Sequence, residues 1–197
     1  GEEKEKNGWE DFQKALKEFQ KEKYPSASKL FRKFHKKYHE SKYLDHALYL
    51  KAEADYRRTF NELNPIFDRA LASYKLAMRE FPKSKFYDHA LLKAASIFDE
   101  IGYNLEAREL YNQGLKSRPR SLYNEVRTDS LAAMLMKEGR LEKAFSAFQL
   151  ILRKSPNNIE AKAGIFEIAN KFFEKKDYPR ALKIFKIGAR RWPDELN

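Results

Sequence analysis

The sequence predicts an all-α fold built from about five helix-turn-helix repeats stacked side by side. The main observation is an internal period of 37 residues, since Ala70, Ala107, Ala144 and Ala181 follow one another at that interval. Helices are favoured over strands because no alternating apolar and polar run bounded by turn residues appears. With 42% hydrophobic residues, the chain is also too apolar for wholesale disorder. A helical repeat fold is therefore expected.

Each copy of the repeat carries the same landmarks. An aromatic residue follows each of these alanines by four residues, and a proline recurs at the same period: Tyr74, Tyr111, Phe148 and Phe185, then Pro82, Pro119, Pro156 and Pro193. A second series of small residues lies twelve residues upstream in most copies: Ala15, Ala52, Ala95, Ala132 and Ala169. Small residues paired in this way let two helix axes approach closely.

Two departures from the period are informative. The earliest copy contains Ala27 and Phe31 but has His39 where the proline should stand, so it is the most divergent repeat. The step from Ala27 to Ala70 is 43 residues, which predicts six extra residues near Thr59 to Pro65. We therefore expect an enlarged loop between the two helices of the second repeat.

The apolar spacing predicts where the helices lie and where they end. One first helix carries a stripe at intervals of three and four residues: Leu91, Ala94, Ala95, Phe98 and Ile101. Gly102 and Gly139 suit the left-handed conformation just past a helix terminus. Pro25 and Pro179 fit the first turn of a second helix, where a missing amide donor costs little. The Pro82-type prolines close the second helices.

These landmarks predict a flexible segment over 1–8 and one repeat domain over 9–197. The predicted repeats cover about 9–40, 41–83, 84–120, 121–157 and 158–194. After Trp192-Pro193-Asp194 no capping helix follows, although a solenoid normally ends in one. We therefore expect a fragment of a longer protein, or an end that another chain covers. Either case predicts an apolar terminal face and some tendency to self-associate.

Composition excludes several classes of protein. No cysteine is present, which excludes disulfides and thiolate metal sites. The apolar runs are too short to cross a bilayer, and residues 1–6 are too charged for the core of a signal peptide.

The formal net charge of +11 fits either an acidic partner or a solvated surface. The densest basic stretch lies on one predicted helix: Lys29, Arg32, Lys33, Lys36 and Lys37.

Catalytic and metal-binding motifs are not apparent. The sequence has no glycine-rich phosphate loop and no Gly-x-Ser-x-Gly elbow. His46 and His89 occupy the same place in adjacent repeats, which favours a role in the scaffold over a ligand role. His35 and His39 share a helix face and could hold zinc, but no His-Glu-x-x-His context exists. We expect no enzyme activity, cofactor, metal or small-molecule substrate.

The repeat resembles the tetratricopeptide repeat (TPR), whose signature has paired small residues, then an aromatic residue, a small residue and a terminal proline. The resemblance covers about residues 9–194, although the period is longer than the usual 34. It implies a right-handed superhelix whose first helices line an inner groove.

The segments that join the repeats narrow the resemblance. Residues 41–48 and 84–91 are near copies, SKYLDHAL and SKFYDHAL. This pattern is similar to that of bacterial cell-envelope TPR proteins, namely outer-membrane assembly lipoproteins, the Tol-Pal coordinator and the helical arms of lytic transglycosylases. The resemblance implies a periplasmic or envelope-associated protein, while the cytoplasm stays open. A lipobox cysteine, a preceding coiled coil and a transglycosylase domain are all missing.

If the alanines face the neighbouring helix, residues at fixed offsets on the first helices point into the groove. These candidates are His46, Tyr49, Glu53, Tyr56, Arg57, His89, Leu92, Ser96, Asp99, Asp129, Met136, Lys137, Phe166, Asn170 and Phe173. Aromatic residues among scattered polar groups can anchor a peptide. The alternative is that Tyr49, Tyr56, Phe166 and Phe173 pack against adjacent repeats or against a carboxyl-terminal helix.

We therefore predict a non-catalytic scaffold that binds a partner polypeptide in the groove, within a bacterial envelope assembly. One alternative is a non-catalytic helical arm of a larger envelope enzyme. A further alternative, suggested by the charge, is a helical repeat that binds nucleic acid.

Overall fold

Antiparallel helices form all of the regular structure in the described part of the chain. The computed structural model describes residue 2 and residues 7–196, the last two by backbone alone. The helices are α1 Trp9–Gln20, α2 Tyr24–Lys37, α3 Leu44–Thr59, α4 Asp68–Glu80, α5 Tyr87–Glu100, α6 Asn104–Ser117, α7 Asn124–Lys137, α8 Leu141–Lys154, α9 Ile159–Glu174, α10 Tyr178–Arg191 and a short 3₁₀ helix Pro193–Leu196. The predicted all-α class is confirmed. Most of the predicted flexible segment 1–8 lies outside the described residues.

The chain divides into two compact units, Gly1–Leu110 and Tyr111–Asn197, and the division falls within α6. In the first unit α2 packs on α1 and α3, and α4 packs on α3 and α5. In the second unit α8 packs on α7 and α9, and α10 packs on α9. The predicted boundaries of the single domain and of its repeats stay predictions.

The alanines of both series lie where two helices meet. Ala15 and Ala27 of the first hairpin have no exposed surface, and neither have Ala52 and Ala70 of the second. In the second unit Ala169 is equally buried. A side chain larger than a methyl group would separate the helix axes, because packed interiors leave no spare volume.

The aromatic and aliphatic landmarks fill the space beside these alanines. In the second unit Phe148, Ile165, Ile168 and Phe172 belong to one continuous buried cluster. In the first unit Phe31 belongs to a cluster formed by α1, α2 and α3. Burial of each such side chain stabilises the fold by about 2 kcal/mol, so stacking of hairpins supplies most of the stability.

Serine residues tie successive hairpins together at the joining segments. Ser84 Oγ donates to Asp45 Oδ2 of the preceding hairpin at 3.0 Å and accepts from the Phe86 amide at 3.2 Å. Ser41 Oγ accepts from the Tyr43 amide at 3.1 Å in the same way. The near-identical joining segments thus have a physical role, because each serine closes a turn and Ser84 also links two repeats.

The predicted enlarged loop is present between α3 and α4. It occupies residues 60–67, where the next hairpin has only residues 101–103. Phe60 packs edge-on against Tyr56 at a centroid distance of 5.0 Å, and Phe67 is buried. The loop is therefore anchored at both ends, while Leu63 at its apex is fully exposed.

The helix ends follow the predicted breakers. Pro25 and Pro179 lie in the first turns of α2 and α10, as expected. Gly102 and Gly139 adopt φ values of 85° and 74°, which confirms the left-handed prediction. Lys176 has the equivalent place after α9 and adopts φ 63° without being glycine.

A buried arginine replaces a small residue in the second unit. The alanine positions Ala47 and Ala90 of α3 and α5 correspond by the repeat spacing to Arg127 of α7, which has no exposed surface. Its Nη1 donates to Asn124 Oδ1 at 3.0 Å. Space for the guanidinium comes from Gly114 of α6, where an added Cβ would lie 2.2 Å from Arg127 Nε.

A buried carboxylate holds three helices of the first unit together. Asp55 of α3 is fully buried, and its oxygens accept hydrogen bonds from Ser28 of α2 at 2.5 Å and from Ser73 of α4 at 2.6 Å. Lys51 Nζ lies 2.8 Å from the same carboxylate. The charge is thus paired and hydrogen-bonded, as a buried charge requires.

We expect Lys176→Gly to raise the free energy of unfolding by about 0.5–1 kcal/mol. A residue with a side chain pays about 1–2 kcal/mol to adopt the left-handed region, and glycine removes that cost. Glycine also gives the unfolded chain more conformational entropy, which offsets part of the gain. Urea unfolding followed by circular dichroism measures the change. Lys175→Gly is the matched control, because Lys175 adopts φ −76° and gains nothing from glycine. Equal destabilisation by both variants would contradict the prediction.

We expect Gly114→Ala to cost about 2 kcal/mol in the wild-type chain, because the new Cβ overlaps Arg127. In an Arg127→Ala background the same change should be neutral or stabilising, since alanine favours a helix over glycine. A double-mutant cycle from urea unfolding measures the coupling. Equal costs in the two backgrounds would show that Arg127 is not what requires glycine.

Candidate functional site

Five of the predicted groove residues line one cavity of about 430 Å³ in the first unit. They are His46, Tyr49, Glu53, Arg57 and His89. The remaining walls consist of residues that sequence reasoning did not select: Phe19, Leu50, Tyr74, Phe86, Ala90 and Lys93. The cavity therefore combines aromatic rings with a small number of charged groups.

Helical spacing explains why these side chains converge. On α3, His46, Leu50, Glu53 and Arg57 are three or four residues apart and so lie on one face. On α5, the line from His89 to Lys93 has the same spacing. Two first helices from neighbouring hairpins thus present matching faces to the cavity.

Glu53 is the charged centre of the cavity wall. Its Oε1 accepts from Arg57 Nε at 2.8 Å, and its Oε2 accepts from the Tyr74 hydroxyl at 2.7 Å. Burial alone raises the pKa of Glu53, but these two hydrogen bonds and the charge of Lys93 together outweigh it and lower the pKa. Glu53 is therefore ionised at neutral pH.

Arg57 is held on the side of the cavity formed by the first hairpin. Its Nη1 donates to the Tyr24 hydroxyl at 3.3 Å, and its guanidinium lies 5.3 Å from the centroid of the Phe19 ring. The hydrogen bonds to Tyr24 and Glu53 raise its pKa. Burial and the charge of Glu53 likewise raise the pKa of Tyr74, so that hydroxyl remains a donor.

The two histidines of the repeated joining segment have different neighbours, since His46 contacts aromatic rings and His89 lies near the charges of Glu53 and Lys93. His46 stacks on the Phe86 ring at 4.8 Å and also contacts Phe12 at 5.4 Å. Burial lowers the pKa of His46 and the pKa of His89, despite nearby carboxylates that act in the opposite direction. Both imidazoles are therefore uncharged at neutral pH and can donate or accept hydrogen bonds.

Lys93 is the functional candidate that sequence reasoning missed. Its ammonium lies 4.0 Å from the centroid of the Tyr56 ring, at the cavity wall. The signal that would have found it is its position one turn after His89, on the same face of α5. The sequence contains many other lysines, so a lysine at this position did not stand out as a candidate.

The other groove predictions in the first unit lie outside this cavity. Tyr56 is half-buried beside the enlarged loop, and burial raises its pKa. Leu92, Ser96 and Asp99 are half-buried on α5, and Ser96 Oγ donates to the Lys93 carbonyl within its own helix. These residues are therefore close in sequence to residues of the cavity wall, but they do not line the cavity.

The groove predictions in the second unit differ in their burial. Asp129 is half-buried, and burial together with Glu160 and Glu125 raises its pKa. Met136 is buried, while Lys137 and Asn170 are exposed.

The aromatic candidates of α9 make ring contacts. Phe166 packs edge-on against Trp192 at 5.9 Å, and an added Cβ on Gly188 would lie 2.5 Å from the Phe166 ring. Phe173 is exposed but contacts Tyr178 at 5.3 Å. Packing therefore accounts for the position of Phe166, and it also accounts for buried Tyr49, whose hydroxyl donates to the Phe81 carbonyl at 3.0 Å.

A larger cavity, of about 500 Å³, lies in the second unit between α8, α9 and α10. Arg180, one of its basic residues, already pairs with Glu142 at 3.1 Å and with Asp177 at 2.9 Å. Phe172 is its one aromatic ring. We therefore favour the smaller cavity, which has aromatic walls and gathers the predicted residues.

Metal-binding chemistry finds no support among the described residues, where no group of three or more His, Asp or Glu side chains could hold an ion. His35 Nε2 lies 3.0 Å from Glu80 Oε2, an arrangement that a single hydrogen bond explains. Within the same residues, no helix is both long enough and apolar enough to span a membrane.

Comparison with known proteins identifies the fold. A TPR protein from Parabacteroides merdae superposes with a TM-score of 0.71 at 18% identity, over 98% of this chain and 68% of the other. MamA from AMB-1 superposes with a TM-score of 0.62 at 15% identity, over 89% and 86%. A putative kinesin light chain from Podosopora anserina with TPR-like repeats gives 0.59 at 13% identity, over 95% and 97%.

These similarities confirm the predicted TPR-type helical repeat fold. Identities below 20% carry the fold alone. No protein-family model and no curated protein matches the sequence.

We expect acidification from pH 7.5 to 5.5 to destabilise the chain through His46 and His89. Burial lowers the pKa of both rings below the value of about 6.5 in the unfolded chain, so the unfolded chain binds protons first. The stability that the neutral rings contribute is present above pH 6.5 and is lost as the pH falls below it. Asp45 and Lys85 flank His46, and Glu53 and Lys93 flank His89.

Urea unfolding at both pH values measures this effect. The matched control is the His46→Gln, His89→Gln double variant, which retains His35 and His39 and should lose less stability over the same interval. An equal loss in both proteins would mean that other groups govern the acid sensitivity.

Proposed function

We propose that this protein is a non-catalytic interaction scaffold whose first unit binds a segment of a partner polypeptide in the cavity between α3 and α5. The observation that supports the proposal is the convergence of His46, Tyr49, Glu53, Arg57 and His89 on one space of about 430 Å³. TPR-type neighbours with known structures make a repeat scaffold the natural starting point.

The size and lining of the cavity suit one or two side chains of a peptide. Ligand sites typically occupy about 300–1,000 Å³, with mostly aromatic or apolar walls and a few fixed polar groups. Phe19, Phe86 and Tyr74 supply aromatic surface here, and Glu53 and Arg57 hold each other in fixed positions. A site with such rigid walls loses little conformational entropy when a peptide binds.

We expect peptides selected from a random library on the whole chain to bind this cavity. His89→Trp should weaken their binding at least about tenfold, because the larger ring at a residue that lines the cavity occupies the space. Fluorescence anisotropy with labelled peptides measures the affinities. His39→Trp is the matched control, since His39 is exposed and does not line the cavity.

Peptides that bind both variants and the wild type equally well would place the binding surface elsewhere. Equal weakening by His89→Trp and His39→Trp would point to general adhesion to exposed tryptophan. Thermal unfolding of both variants shows whether either change disturbs the fold.

We further propose that the scaffold works in a bacterial cell envelope, on the periplasmic side. The support is the joining segment of residues 41–48 and 84–91, whose pattern is similar to that of bacterial cell-envelope TPR proteins. Fractionation of the source cells, with detection by antibody, tests the location. A catalytic domain encoded in the same reading frame would instead make the chain the helical arm of an enzyme.

A second candidate function, binding of nucleic acid, draws on one feature of α2. This helix contains no acidic residue, and its exposed face carries Lys29, Arg32, Lys33 and Lys36. Titration with labelled RNA and DNA at 50 and 300 mM salt tests it, because phosphate contacts give a steep salt dependence. Binding of equal weakness to any polyanion would discard this candidate.

A further inference from the structure

The charges that line the cavity of the first unit do not cancel. Glu53 is the one carboxylate of the lining, whereas Arg57 and Lys93 are both cationic. Both carboxylate oxygens of Glu53 already have donors, namely Arg57 Nε at 2.8 Å and the Tyr74 hydroxyl at 2.7 Å. Since His46 and His89 are uncharged at neutral pH, the cavity retains one surplus positive charge.

That surplus charge resides on Lys93. Within the described part of the chain its ammonium makes neither a hydrogen bond nor an ion pair, and it lies 4.0 Å from the centroid of the Tyr56 ring. An aromatic ring attracts the positive charge, but it offers no conventional hydrogen-bond acceptor to the three N–H groups of the ammonium. Lys93 is half-buried, so an anion beside it would be screened less than at an open surface.

The other walls determine what kind of anion fits. Phe19, Phe86, Leu50 and Ala90 present apolar surface to the same space. A small hydrated anion would gain Lys93 as a charge partner, but it would lose water against these apolar walls without gaining contact with them. A carboxylate attached to an apolar stem gains contact with the walls and a charge partner together.

We propose that the polypeptide bound in this cavity inserts an acidic side chain, Asp or Glu, whose carboxylate pairs with the Lys93 ammonium. The inference rests on the peptide-binding function proposed above and specifies its ligand. A basic side chain at the same place would face Lys93 and Arg57 with no free carboxylate to neutralise it. The cavity thus selects by charge as well as by shape.

The test uses the peptides selected on the whole chain, each resynthesised with every Asp or Glu replaced in turn by Asn or Gln. Replacement at one position should weaken binding to the wild type about tenfold, measured by fluorescence anisotropy. In Lys93→Met the acidic and amide peptides should bind equally. Lys75→Met is the matched control, because Lys75 is exposed on α4 and does not line the cavity, so the tenfold difference should persist.

A second variant, Lys93→Gln, keeps a polar side chain at the site and should abolish the discrimination in the same way. Peptides that are sensitive to His89→Trp but indifferent to loss of their carboxylates would overturn this inference and leave the binding function intact. A carboxylate preference that persists in Lys93→Met would also overturn it, because another group would then hold the anion. If no selected peptide responds to His89→Trp, the binding function fails and the inference fails with it.

Discussion

Close approach of neighbouring helices through alanine is the constraint on which the rest of the structure depends. Ala15 and Ala27, like Ala52 and Ala70, are completely buried where two axes meet. Once these axes are fixed, the aromatic residue four positions later has one space to fill, and the next hairpin has one surface on which to pack. Side chains at other offsets on the first helices are then directed away from the core, which is how α3 and α5 come to share a cavity.

Much of this arrangement could be predicted from the sequence because it is periodic. The alanine series, the glycines at helix ends and the extra residues after Thr59 all appear as intervals along the chain, without knowledge of contacts. The cavity could be predicted only in part. Phe19 and Tyr74 reach it from α1 and α4, and their distance from His46 depends on how hairpins stack. The stacking of hairpins does not produce a regular spacing of residues along the sequence, so the sequence does not show that these side chains meet.

Arg127 shows a different limit of sequence reasoning. A charged residue at a position where the second and third repeats have alanine suggests a solvated surface, yet this one is fully buried. Its burial depends on the space left by Gly114, thirteen residues earlier on another helix. Neither Arg127 nor Gly114, considered alone in the sequence, indicates that the missing side chain of one makes room for the other. Phe166 of α9 shows a related effect, since it packs against Trp192 and occupies space where Gly188 has no side chain.

Two carboxylates of α3 illustrate how one helix serves both the core and the cavity. Glu53 and Asp55 are two residues apart and therefore point to opposite sides of the helix. Asp55 is fully buried and joins Ser28 and Ser73, so its hydrogen bonds hold α2 and α4 against α3. Glu53 faces the cavity and orients Arg57 and the Tyr74 hydroxyl. The polar core thus fixes the helix whose opposite side forms the candidate site.

The loop over residues 60–67 has a consequence for how such a protein changes over generations. It lengthens the interval between Ala52 and Ala70, yet both alanines remain fully buried, and Phe60 and Phe67 at its two ends pack against each other at 5.9 Å. Lengthening a flexible connection costs only about 0.6 kcal/mol for each doubling. Residues around Leu63 can therefore be exchanged, extended or fused to foreign sequences at small energetic cost, which makes this tip a permissive point for acquiring new specificity or for inserting a reporter tag.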